Sequence, residues 1–264
     1  AGGKASPGQW DELVDSRKAF DTVRPHGWQD AEAAYAKDES LAHEAGSGKV
    51  NRAIRALQLE TEIRNVDNFH ALEINVPGDV EVRTDSIFYV EVTCEDNLIA
   101  YLETVEDDGV LKIHFDRDVY DVDDLKIRVS APSWDGFKIN GSADVDVPDA
   151  ISGNKLDVGV SGSGNLKVFN LDFNKIETRV SGSGDVFLAG AADDLKCTVS
   201  GSGNVNALGC PVKTATVAVS GSGDVRLHVT ETLDVTISGS GDVEYEGTPQ
   251  VTKQVSGSGN VRKL

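Results

Sequence analysis

The sequence of 264 residues contains little of what many functional sites are built from. It has no methionine, three cysteines and five histidines, and aromatic residues make up 6% of it. The histidines and cysteines share no metal-ligand spacing, so the sequence predicts no metal site, and it carries no cofactor motif. Because aromatic residues are scarce, valine, isoleucine and leucine must supply any core.

Other absences bear on covalent structure and location. Cys94, Cys197 and Cys210 are an odd number of cysteines, so they cannot form a fully paired disulfide framework. A Cys197–Cys210 bridge remains an alternative to free thiols. The chain lacks an apolar run of about 18 residues, so it predicts no membrane span. With no methionine at its start, it reads as a processed product, and we expect any export signal or lipid anchor to lie outside it.

Positive charge is scarce in most of the chain. Residues 1–64 hold nine Lys and Arg and eleven Asp and Glu, which leaves 16 and 33 of the totals of 25 and 44 for residues 65–264. The formal charge of residues 65–264 is therefore −17. Such a surface repels phosphate backbones, so we predict that residues 65–264 bind no nucleic acid.

What the chain does contain is a repeated motif, Val-Ser-Gly-Ser-Gly-Asn/Asp-Val. Its first serine recurs with a period of 18–20 residues, at Ser161, Ser181, Ser200, Ser220, Ser238 and Ser256. Degenerate copies surround Asn75 and Asn140. A steady period in this range is typical of stacked architectures, in which each repeat buries its apolar face against its neighbours.

Apolar residues alternate with polar ones on both sides of each motif, as in Leu156, Val158 and Val160 before the first copy. Alternation of period two is the signature of a strand with one buried face. The sequence therefore predicts a mainly β fold, a parallel β-helix with coils of 18–20 residues. An antiparallel β-array is the alternative, although two-residue hairpin signals are nearly absent. The motif glycines share the inward parity, where they would permit close backbone approach.

The same parity points the two serines and the Asn or Asp of each motif outward. We predict a polar stripe that consists of Ser181, Ser183, Asp185, Ser200, Ser202, Asn204, Ser220, Ser222, Asp224, Ser238, Ser240 and Asp242. One interpretation is that stacked hydroxyls and Asx side chains satisfy one another and stabilise the fold. The other is that the stripe binds glycan hydroxyls or another protein of the cell envelope.

The chain divides into two regions by composition. Residues 1–64 are rich in Ala, Glu, Lys, Arg and Leu, and they predict a small α-helical segment whose last helix covers Lys49–Arg64. Residues 65–264 predict the β-helix, with irregular first coils over 65–135 and regular coils over 136–264. Asp107-Asp108-Gly109 is a turn signal between two irregular strands.

Both regions resemble known families. Residues 1–64, from Gly8-Gln9-Trp10 through Glu60-Thr61-Glu62, resemble a C-terminal segment of conjugative-transfer relaxases, but no relaxase tyrosine or histidine motif accompanies them. From Asn65 onward, the Pro-Gly-Asp-Val segment and the six serine–glycine motifs resemble the head GIN domain, also called the putative auto-transporter adhesin family.

The head GIN resemblance implies a right-handed parallel β-helix in an exported protein of the periplasm or cell surface. It favours a non-catalytic adhesin or structural module with glycans or envelope proteins as partners and no cofactor. The alternative is a polysaccharide-processing β-helix enzyme, which would need two carboxylates at a defined separation. Asp224 and Asp242 are the nearest candidates, but no acid–base cluster recurs, so we predict no catalytic residues.

Overall fold

The computed structural model describes residues 59–119, 122 and 124–264, which form one sheet of sixteen strands and one helical turn. The elements are β1 (Leu59–Arg64), β2 (Ala71–Ile74), β3 (Gly78–Thr84), β4 (Tyr89–Glu95), α1 (Asp96–Ile99), β5 (Leu102–Asp107), β6 (Val110–Phe115), β7 (Lys126–Ala131), β8 (Gly136–Ile139), β9 (Ala143–Val160), β10 (Asn165–Val180), β11 (Val186–Val199), β12 (Val205–Val219), β13 (Val225–Ile237), β14 (Val243–Glu246), β15 (Gln250–Val255) and β16 (Val261–Lys263). No helix of the described residues is long and apolar enough to cross a membrane.

The regular part of the chain is a parallel β-helix, which confirms the predicted fold. From β9 to β13 each coil is one long strand followed by a Ser-Gly-Ser-Gly turn, and each strand pairs in parallel with the next coil. Like positions lie opposite one another, so Val180 faces Val160 on one side and Val199 on the other. These inward valines are buried in the apolar column that the alternation predicted.

Each pair of long strands has a register irregularity near its middle, and we take this as the bend that divides a coil into two outer faces. The register of β10 against β11 shifts between Val168 and Leu171, the other pairs shift at the matching place, and β12 against β13 shifts again between Val212 and Thr214. In the last coil the bend separates β14 from β15. We call the outward surface of the segments that follow the serine–glycine turns the post-turn face, and that of the segments that precede them the pre-turn face.

The first coils do not stack in the order of the sequence. The coil of β2 and β3 pairs with β8 and β9, and Asn140 donates its side-chain amide to Asn75 Oδ1 at 2.6 Å. Asn75 and Asn140 are 65 positions apart, and the chain between them includes β6 and β7, which pair with β2 and β3 on their other side. This end of the stack therefore carries an additional layer, which explains the irregular periodicity of residues 65–135.

Antiparallel pairing within the described residues is confined to that end, where β4 pairs with β7 and β5 with β6. The predicted turn at Asp107-Asp108-Gly109 is confirmed, since Asp108 and Gly109 have φ of 51° and 80°. Positive φ at two successive residues is the conformation of a tight hairpin turn. The antiparallel alternative for the whole repeat array is therefore wrong.

The helix predicted over Lys49–Arg64 is wrong for its last six residues, which form β1, a neighbour of β4 in the sheet. Thr61 bonds to Thr93 of β4 through their hydroxyls at 2.9 Å. Pairing with an available sheet edge outweighs the helical propensity of this segment, as tertiary context commonly does. The remaining helical prediction, for residues 1–58, lies outside the described residues.

All three cysteines are buried free thiols, so the Cys197–Cys210 bridge is not formed. Cys197 occupies an inward position of β11 and acts as a small apolar residue of the column. Burial raises the pKa of the Cys197 thiol to about 12. The thiol is therefore protonated at neutral pH and unreactive.

Candidate functional site

The twelve residues of the predicted stripe lie in three parallel rows at the corner where the turns stack. Both serine rows are exposed, and the Asx row ranges from half-buried to exposed. Neighbouring strands are about 4.8 Å apart, so each row repeats at roughly that interval. We call this surface the serine–Asx stripe.

The backbone, and not the serine hydroxyls, joins the turns. Ser200 donates its backbone N–H to Val180 O at 2.8 Å, and Ser202 donates to Gly182 O at 3.0 Å. The Ser200 hydroxyl reaches only the Val180 carbonyl, at 3.5 Å. No stripe hydroxyl bonds to a neighbouring serine in the part of the chain that the structure describes, so the predicted hydroxyl ladder is wrong. The hydroxyls therefore face solvent.

The motif glycines allow this stacking because their backbones touch. A Cβ placed on Gly201 would lie 2.0 Å from Gly182 O, and one on Gly203 would lie 2.0 Å from Gly184 O. Neither distance permits a side chain without displacing the backbone of the previous coil. The glycines are therefore a requirement of the stripe and not a flexible linker.

The Asx row forms a continuous ladder of side chain to backbone hydrogen bonds. Asn204 donates its backbone N–H to Asp185 Oδ1 at 2.8 Å, Asp224 donates to Asn204 Oδ1 at 2.9 Å, and Asp242 donates to Asp224 Oδ1 at 2.8 Å. In each step the side-chain oxygen takes the place of a backbone acceptor at the start of a strand. One side-chain oxygen of each of these Asx residues therefore stabilises the fold by accepting a hydrogen bond from the next coil.

The post-turn face carries a row of charges two residues after the Asx ladder. The row continues beyond this face onto β7 and β4, where Arg128 pairs with Glu91 at 3.0 Å. At the other end Arg226 pairs with Glu244 at 2.6 Å, and Arg262 also contacts Glu244. The two arginines lower the pKa of the Glu244 carboxyl through their hydrogen bonds to it. Pairing of opposite charges across neighbouring strands favours this register.

The charged row is interrupted in its middle by Phe187 and Asn206, which lie between Lys167 and Arg226 in register. Phe187 contacts Phe169 of the previous coil, with ring centroids 5.8 Å apart. An open groove of about 540 Å³ runs beside this interruption. It is lined by Phe187 and Arg226 together with residues of the Asx ladder, and sequence reasoning missed it.

The pre-turn face carries a cluster of ion pairs around Glu177. This carboxylate accepts from Lys175 at 2.6 Å, from Arg179 at 2.8 Å and from Lys155 at 3.4 Å. Hydrogen bonds from Lys175, then from Arg179, lower the pKa of Glu177 from 4.5 to about 2. The cluster joins β9 to β10.

Glu177 should make the stability of the protein depend on acid pH. A carboxyl whose pKa is lowered by folding stabilises the native state above its unfolded pKa, near 4.5, and loses that contribution as the pH falls toward about 2. We expect the difference in urea midpoint between the wild type and Glu177→Gln to have its full size above about pH 5, to shrink as the pH falls below 4.5 and to be nearly gone at about pH 2. The exposed Asp234→Asn on the same face is the control, and a difference that is constant with pH would contradict this assignment.

The residues considered for catalysis are engaged in the fold. Asp224 uses Oδ1 to accept from Asp242 N, and Asp242 uses Oδ1 to accept from Asn260 N at 2.8 Å. Among the described residues there is no group of three or more His, Cys, Asp or Glu arranged to hold a metal ion.

Comparison with solved structures shows the same fold in several bacterial proteins. A putative adhesin from Bacteroides fragilis has 23% identity and a TM-score of 0.74, with 80% of this chain and 99% of that chain covered. A putative adhesin from Parabacteroides distasonis has 25% identity and a TM-score of 0.66, with 78% and 97% covered. A structure described as a putative lipid binding protein from the same species has 23% identity and a TM-score of 0.66, with 79% and 97% covered.

No match was found among curated proteins. The resemblance of residues 1–64 to relaxases stays a prediction.

The family comparison covers most of the β-helix. A family model described as "Putative auto-transporter adhesin, head GIN domain" matches residues 68–249, which confirms the resemblance inferred from the serine–glycine motifs. The chain therefore belongs to the head GIN domain family of putative auto-transporter adhesins.

Proposed function

We propose that this chain is a non-catalytic binding module of the bacterial envelope, exported to the periplasm or cell surface, and that its ligands are glycans. The adhesin description of its family supports a role in binding. The serine–Asx stripe would supply the contact surface, with its rows of hydroxyls meeting glycan hydroxyls.

The observation that carries this proposal is the state of the serine hydroxyls. They point outward in regular rows and do not bond to one another within the described residues, although a purely structural ladder would use them. Each hydroxyl can donate one hydrogen bond and accept others, which matches the hydroxyls of a sugar. The candidate acids Asp224 and Asp242 each commit an oxygen to the Asx ladder, which favours binding over catalysis.

A glycan array with the full chain tests the proposal. We expect the wild type to bind a subset of glycans and a variant with Ser183, Ser202, Ser222 and Ser240 all changed to Ala to bind them about tenfold more weakly, because several hydrogen bonds are lost together. The control removes exposed hydroxyls from the pre-turn face through Thr216→Ala, Thr236→Ala and Thr252→Ala and should bind normally. No binding of any glycan by the wild type would overturn the proposed function. Equal binding by the serine variant would overturn the part that the serine rows play in it, and a reducing-sugar assay should show no cleavage.

A further inference from the structure

Two phenylalanines project from the outer surface of the β-helix without serving its core. Phe169 is 42% exposed, and Phe187 on the neighbouring coil is half-buried. Their rings lie 5.8 Å apart and are tilted by 48°. Single exposed apolar residues are ordinary, but an adjacent aromatic pair on an otherwise polar sheet face marks a contact surface. An aromatic ring presents an apolar face that can stack on another flat apolar surface.

The groove beside this pair is lined by hydrogen-bonding groups in a regular grid. One row consists of Asn165, Asp185, Asn204 and Asp224, and the next row, two residues further along each strand, consists of Lys167, Phe187, Asn206 and Arg226. The ladder uses Oδ1 of Asp185 and of Asp224. Oδ2 of each carboxylate makes no hydrogen bond within the described residues and is available to accept from a ligand.

The charges around the groove favour a neutral ligand. Lys167 lies 3.6 Å from Asp146, and Arg226 pairs with Glu244, so both bordering cations already have partners. An anionic ligand would meet Asp185 and Asp224, and it would have to approach a region of formal charge −17. These charges favour a neutral ligand over an anionic one, and a ligand with hydroxyl groups and an apolar face meets no such repulsion.

We propose that Phe169, Phe187 and this groove form a binding site for a neutral saccharide. The apolar C–H face of a pyranose ring stacks on Phe187, and a neighbouring unit of the same chain reaches Phe169. Sugar hydroxyls donate to Oδ2 of Asp185 and Asp224 and accept from the side-chain amide of Asn206. A small-molecule site usually combines an apolar or aromatic surface with a few polar groups that orient the ligand. The inference rests on the proposed glycan-binding function and assigns it a particular site and ligand class.

The test measures binding of neutral and acidic oligosaccharides to the full chain by isothermal titration calorimetry. We expect the wild type to bind a neutral oligosaccharide and to bind an acidic one of equal length at least about tenfold more weakly. We expect Phe187→Leu to lose about tenfold in affinity, because leucine keeps the apolar area and lacks the planar ring. The double variant Phe169→Leu/Phe187→Leu should lose more. Ile87→Ala, which removes another exposed apolar side chain, is the control and should bind as the wild type does.

The outcomes separate this site from the broader proposal. Binding that is weakened by Phe187→Leu and not by the control supports the aromatic site. Binding that is lost in the four-serine variant but unchanged in both phenylalanine variants overturns the aromatic site and leaves the proposed function in place. Preference for the acidic oligosaccharide overturns the neutral ligand class, and absence of binding to every saccharide overturns both proposals. Circular dichroism of each variant confirms that it is folded, which we expect because both rings lie at the surface and leucine keeps much of their apolar area.

Discussion

Replacing Gly201 by alanine is expected to lower the free energy of unfolding by about 3 kcal/mol, the upper end of the usual range for overpacking. The new Cβ would lie 2.0 Å from Gly182 O and 2.7 Å from Ser181 O. Both contacts are with backbone atoms of the previous coil, so no side chain can rotate away to relieve them. The coils would have to separate locally, which would weaken the hydrogen bond from Ser202 N to Gly182 O.

Gly159→Ala is the matched control for this substitution. A Cβ on Gly159 would lie 3.6 Å from Lys138 Cγ, an ordinary contact with a flexible side chain. Alanine there should leave stability unchanged or raise it slightly, because it reduces the conformational freedom of the unfolded chain. Urea unfolding followed by circular dichroism measures both variants. Equal effects of the two substitutions would show that the motif glycines are not in close contact.

Replacing Asp224 by alanine is expected to lower the free energy of unfolding by about 2 kcal/mol, because a partly buried backbone donor loses its acceptor. The donor is Asp242 N, which lies 2.8 Å from Asp224 Oδ1. Asp224 N would keep its own bond to Asn204 Oδ1 at 2.9 Å, so only the step toward the next coil is broken. The same unfolding measurement gives the result.

Asp224→Asn separates the hydrogen bond from the charge. Asparagine keeps an oxygen at the same position, as Asn204 does in the natural ladder. It also removes one of two acids that are adjacent in the Asx ladder, Asp224 and Asp242, and like charges on neighbouring strands repel. We therefore expect this variant to be as stable as the wild type or more stable. A loss equal to that of Asp224→Ala would show that charge, and not the acceptor, is what the position requires.

The regular coils were predictable from the sequence because each inward position repeats at every motif. Val180, Val199 and Val219 follow from parity alone, and the structure buries all three. The outward direction of the serines and Asx residues follows from the same parity. The hydrogen bonds of the stripe did not follow, because alternation fixes which way a side chain points and not whether it bonds to its neighbour or to backbone.

The remaining differences arise from contacts that are distant in the sequence. β1 pairs with β4, about 30 residues away in the sequence. The helix prediction for residues 59–64 was wrong because it rested on local propensity and could not include this distant contact. The layer of β6 and β7 lies outside β2 and β3 because the chain passes beyond the first coil before it returns. The aromatic pair was missed because the sequence was read for its inward apolar positions, whereas Phe169 and Phe187 are apolar residues at outward positions. A search for outward aromatic residues at adjacent coils would have found it.

The β-helix, the stripe and the groove all depend on parallel stacking of the coils, in which equivalent positions of successive motifs lie side by side. Valine-methyl NOE spectroscopy of the full chain, deuterated and labelled at the valine methyl groups, tests this most directly. We predict NOEs from Val180 to Val199 and from Val199 to Val219, the register in which the structure pairs them, and none from Val180 to Val219. In an antiparallel array these valines would lie at opposite ends of neighbouring strands. Absence of both sequential NOEs would therefore contradict the β-helix, the stripe and the groove together.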